Sequence, residues 1–151
     1  MFVRFAMVVL MMAVSLSTAQ ARMSNVTLLV PERVVLKRMD GQPSTPDQMR
    51  KAILTGSQPF GWKLVADEPG SLKLSYTKSD GPSAVVRVDY DAQSYQINYF
   101  SSDLLTHSGD GANATIHPTY NMWVKNLVMR IMLPGELVPA SAVSSSLATK
   151  R

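Results

Sequence analysis

From Trp62 to Tyr99 the chain alternates apolar and polar residues with a period of two, cut by turn signals at short intervals. Trp62, Leu64 and Ala66 alternate with Lys63, Val65 and Asp67 before the turn Glu68-Pro69-Gly70. Leu72, Leu74 and Tyr76 alternate with Lys73, Ser75 and Thr77 before Ser79-Asp80-Gly81-Pro82. Ala84, Val86, Val88 and Tyr90 then face one way, and Val85, Arg87, Asp89 and Asp91 the other. Tyr95, Ile97 and Tyr99 alternate with Ser94, Gln96 and Asn98. Four successive strands with short turns make an antiparallel meander, apolar on one face and wet on the other. The apolar face requires a cover.

Two helices supply it. Thr45-Pro46-Asp47-Gln48 is a helix start: the Thr45 hydroxyl caps free amides, Pro46 suits the first turn and Gln48 completes a capping box. Met49, Ala52 and Ile53 form a narrow apolar face, and Gly56 is the expected stop. The second helix opens at His117-Pro118 and carries Tyr120, Trp123, Val124, Leu127 and Ile131 on one stripe, with Asn121, Lys125, Asn126 and Arg130 on other faces. Pro134-Gly135 ends it.

Upstream, Asn25 to Lys37 reads as one strand interrupted at Pro31. Residues 101–116 form a loop with a glycine-rich tip. The expected fold is therefore α+β, a two-layer sandwich in the order β-α-β-β-β-β-α, with both helices on one face of an antiparallel sheet. Its domain spans residues 22–133, and the alanine- and serine-rich residues 134–151 read as a flexible tail.

Charged residues make up 17% of the chain, below the roughly 25% of soluble domains. The apolar N-terminus accounts for part of that deficit. Arg4, the apolar stretch Phe5 to Leu16, and Ala19-Gln20-Ala21 have the layout of a secretory signal peptide cleaved after Ala21. The stretch is short for a membrane span, so no transmembrane segment is expected after cleavage. The chain has no cysteine, which excludes disulfides, thiol nucleophiles, thiolate metal sites and a lipid-modified N-terminal cysteine. A soluble periplasmic protein is the expectation, held by packing alone.

Val86-Arg87-Val88-Asp89-Tyr90, Ser94-Tyr95-Gln96-Ile97-Asn98-Tyr99 and, most specifically, Ile116-His117-Pro118-Thr119-Tyr120-Asn121-Met122-Trp123 resemble a family of small uncharacterised bacterial exported proteins and putative lipoproteins. The resemblance runs from Gly61 to about Ile131. It implies an envelope location and this architecture, and no biochemical activity. Many members of that family carry a lipid-attachment cysteine, which this chain lacks.

Residues with chemistry are few. His107 and His117 flank the glycine-rich loop with Asp103 and Asp110 nearby, and such a set could bind exposed zinc or copper. Their spacing matches no ligand motif, and the alternative makes His117 a helix cap and His107 a solvated loop residue. Ser108-Gly109 lacks the context of a nucleophile elbow. Asp89 and Asp91 share a strand face, but Arg87 shares it too. No phosphate-binding or dinucleotide loop is present, so no cofactor and no enzyme activity are expected.

The outward positions Lys63, Lys73 and Arg87 make the open sheet face locally basic, which reads either as a solvated face that keeps the protein soluble or as a binding surface, and Phe100 lies opposite Tyr99 on that side. Phe60 and Trp62, beside Pro59 and Gly61, are also candidates for partial exposure. The net charge is +4, and export makes nucleic acid an unsuitable partner. The first expectation is a non-enzymatic binding or interaction module, meeting an envelope protein or an anionic envelope component through Lys63, Lys73, Arg87 and Phe100. Edge addition of a peptide strand is a second mode open to such a sheet. The alternative is a small metal-dependent or hydrolytic envelope enzyme centred on His107 and His117.

Overall fold

The structure, a computed structural model, describes residues 24–132 and 137–140. The meander forms as the alternation requires: β3 (Lys63–Glu68), β4 (Ser71–Thr77), β5 (Ser83–Tyr90) and β6 (Ser94–Asp103) pair antiparallel in sequence order. β2 (Val34–Arg38) joins beside β6, and β8 (Leu137–Pro139) joins beside β2, giving a six-stranded sheet in the order β3-β4-β5-β6-β2-β8. A second, two-stranded sheet pairs β1 (Val26–Thr27) with β7 (Thr115–Ile116). With α1 (Pro46–Ser57) and α2 (Pro118–Ile131), the class is α+β, an open sandwich. Among the described residues no helix is long and apolar enough to cross a membrane. The expected signal peptide, residues 1–21, lies outside the described residues.

The core lies between the sheet and the helices. Leu72, Leu74, Val86, Val88, Tyr95 and Ile97 are buried from the sheet side, Met49 and Ile53 from α1. The whole expected stripe of α2, Tyr120, Trp123, Val124, Leu127 and Ile131, is buried against them. The Thr45–Gln48 capping box forms in both directions, so α1 starts where its polar residues satisfy two free amides. The Asn121 side chain ties the N-terminal segment to α2, donating to the Thr27 carbonyl and accepting from the Leu29 amide.

Four sequence expectations are corrected. Asn25 to Lys37 is not one strand, because its two ends belong to different sheets; Pro31 has no amide to donate, and the chain crosses between sheets around it. Gly56 does not stop α1. The helix runs on through Ser57 into a 3-10 turn, Gln58–Phe60, and ends at Gly61 in the left-handed region. At Gly56 the backbone of α2 passes so close that an added Cβ would sit 2.6 Å from Ile131 Cα and 2.8 Å from the Arg130 carbonyl oxygen. The residue is glycine for the helix crossing. The segment 134–151 is not wholly a tail: Leu137–Pro139 pairs with β2, and Leu137 is buried in the core.

The fourth correction concerns β3. Its register with β4 shifts between Leu64 and Ala66, so Val65 is an extra residue, and Ala66 rather than Val65 pairs with Lys73. Beyond this bulge the alternation inverts. Asp67 pairs with Leu72 instead of standing among the outward residues, and it forms an ion pair with Arg50 of α1.

Candidate functional site

The helices cover one face of the sheet, and the other is open. On that face the strands align Ala66, Lys73, Arg87 and Asn98 in one lateral row, and Lys63, Ser75, Val85 and Ser101 in the next. A second register shift, between Val85 and Val86, leaves Phe100 as the extra residue of β6. The two bulges act together. One turns out Val65, 56% exposed, beside Lys73; the other turns out Phe100, 49% exposed. The Lys73 ammonium lies 4.2 Å from the centroid of the Phe100 ring, a cation–π contact that holds a flexible lysine in place. Bulges recur where a side chain must be re-aimed near a site.

The four outward candidates are not equivalent. Lys73 and Phe100 are in contact. Lys63 stands on the neighbouring strand, exposed, with its backbone opposite Ser75. Arg87 is committed: its Nε donates to Asp89 Oδ2 at 3.1 Å, and Asp89 also accepts from Ser71 Oγ and Asn98 Nδ2. The positive charge presented by this face is therefore concentrated at Lys63 and Lys73. Asp91 does not join Asp89. It caps the β5–β6 turn, accepting from the Gln93 and Ser94 amides and the Ser94 hydroxyl, with Arg33 alongside. The Gln93 amide and Ser94 hold its carboxyl below the usual carboxylate value. Both carboxylates are occupied by protein donors, which leaves no paired-carboxylate arrangement there.

The histidine loop does not assemble a metal centre. His117 is the N-cap of α2, its Nδ1 accepting from the Thr119 amide at 3.2 Å. His107 stacks on Tyr99, with ring centroids 4.3 Å apart. Among the described residues, Asp103 and Asp110 included, no group of three or more His, Asp or Glu side chains could hold a metal ion. Both histidines are engaged in structural contacts.

A cleft lies beside the crossing of α1 and α2, and it has little signature in the sequence. Phe60, Trp62, Tyr76 and Trp123 line this cleft of about 400 Å³ together with Asn126 and Arg130. Trp62 is not partly exposed as expected but only 4% exposed, while Phe60 is 43% exposed. Tyr76 joins the two tryptophans, its ring centroid 5.4 Å from Trp62 and 4.8 Å from Trp123. Arg130 sits over Phe60 at 4.0 Å. The only advance signal was Phe60 between Pro59 and Gly61; the rest depends on the helix crossing at Gly56.

The chain matches no protein-family model, no curated protein and no solved structure.

Proposed function

We propose that this is an exported, non-enzymatic binding module of the bacterial periplasm that grips an anionic envelope component through its open sheet face. One observation carries the reading: two β-bulges present Val65 and Phe100 beside a lysine whose ammonium is fixed on an aromatic ring. Lys63 and Lys73 supply the charge, while Val65 and Phe100 supply apolar contact. Arg87 helps by ordering the polar network beneath them rather than by meeting ligand. Export is supported by the charged, apolar and small-residue order of residues 1–21.

The test is binding of the mature protein to vesicles of phosphatidylglycerol, with phosphatidylcholine vesicles as the neutral control. A lysine near an anionic surface contributes about 1 kcal/mol. Replacing Lys63 and Lys73 with glutamine is thus expected to weaken binding by about 30-fold, and Arg87→Gln by much less. Equal affinity for the two vesicle types, or binding unchanged in the double variant, would overturn the proposal.

A further inference from the structure

The aromatic cleft carries an inference independent of the open face. Its walls are apolar, and its only charged lining residue is Arg130. The guanidinium carbon lies 4.0 Å from the centroid of the Phe60 ring, and a cation–π contact of this kind engages the guanidinium without using up its N–H donors. No carboxylate pairs with Arg130 among the described residues; the ion pairs there belong to Arg33, Arg38, Arg50 and Arg87. A cation with N–H donors lining an aromatic cleft calls for an anionic group carried on an apolar body. A carboxylate answers that description, with the Asn126 amide as a second polar group on the same rim.

We propose that this cleft is a binding site for a small amphiphilic carboxylate. The body lies against Trp62, Tyr76 and Trp123, and the carboxylate meets Arg130. A volume of about 400 Å³ is at the lower end for small-molecule pockets, which favours a short aliphatic or single-ring body over a long lipid chain. A neutral or cationic amphiphile of the same size would leave the Arg130 donors unanswered or oppose its charge.

Both tryptophans of the chain line this cleft, so intrinsic fluorescence excited at the indole band reports on it directly. Sodium octanoate, octanol and octylammonium are the probes, titrated into the mature protein. Octanoate should change the emission saturably, with an affinity at least tenfold above the other two. Arg130→Gln should remove that preference while leaving the unfolding midpoint nearly unchanged, because the residue is exposed. Phe60→Ala, which removes the ring under the guanidinium, should reduce the preference several-fold. The Lys63→Gln/Lys73→Gln variant should bind octanoate as the parent does, so failure of the open-face proposal would not be mistaken for failure here. Equal responses to the three probes, or a preference for octanoate that survives in Arg130→Gln, would overturn the assignment.

Discussion

Replacing Gly56 with alanine sets two effects of opposite sign against each other. In an exposed helix interior the change would stabilise by about 1 kcal/mol, because alanine restricts the unfolded backbone and favours the helix. At Gly56 the new Cβ would meet Ile131 Cα at 2.6 Å and the Arg130 carbonyl oxygen at 2.8 Å. Non-bonded carbons settle at about 3.5–4.0 Å, so the helices must separate by roughly 1 Å. Backbone atoms cannot swing aside as a side-chain tip can, which places the cost at the upper end of the usual 1–3 kcal/mol for overpacking. The net expectation is a loss of about 2 kcal/mol, a fall in Tm of roughly 8 °C. Urea denaturation followed by tryptophan fluorescence measures it, with Thr55→Ala as control on the exposed side of the same helix. Thr55→Ala should be neutral to stabilising by about 0.5 kcal/mol. If Gly56→Ala instead raises the midpoint, the backbone-to-backbone crossing is wrong, and the cleft beside it must be redrawn.

Two further predictions concern polar groups. The Tyr120 hydroxyl is buried and has no protein hydrogen-bond partner among the described residues, so Tyr120→Phe should leave stability unchanged or raise it by about 1 kcal/mol, and a loss above that size in thermal unfolding would contradict the assignment. Asp91 is held below its usual pKa first by the Gln93 amide, Asp67 by Arg50, and Asp40 down to about 2 by Arg38 and the Gln42 amide. Because the folded values lie below the unfolded ones, these carboxylates contribute fully above about pH 3.9, and the contribution is lost as pH falls through the folded values. The urea midpoint should therefore drop between pH 5 and pH 2.5, and a midpoint that rises on acidification would contradict the assigned contacts.

The parts of this fold legible in the sequence are those whose information is local. The α2 stripe from Tyr120 to Ile131 and the Thr45–Gln48 cap follow from spacing alone, and both occur in the structure. The bulges at Val65 and Phe100 were not legible, because a register shift is decided by the partner strand. Alternation alone therefore puts Asp67 on the wrong face. Phe100 could be assigned to the open side from its position after Tyr99, but its contact with Lys73 depends on β5 lying between them. Gly56 shows the same limit, since a glycine near a helix end reads as a stop unless the neighbouring helix is known. Leu137 has no local signal, because a three-residue strand after Pro134-Gly135 has no periodicity to read. The cleft draws on three distant segments and had no local signature beyond Phe60.

The central proposal is that the open sheet face meets its ligand in the periplasm. Photocrosslinking in cells tests this most directly, with a photoreactive residue at Ser75, between Lys63 and Val85 on the open face, and a second at Thr55 on the helical layer. The account predicts that Ser75 captures an anionic envelope component in the periplasmic fraction, that Thr55 does not, and that Lys63→Glu/Lys73→Glu abolishes the capture. Capture that is equal at both positions or indifferent to the charge reversal, or a protein retained in the cytoplasm, would contradict it.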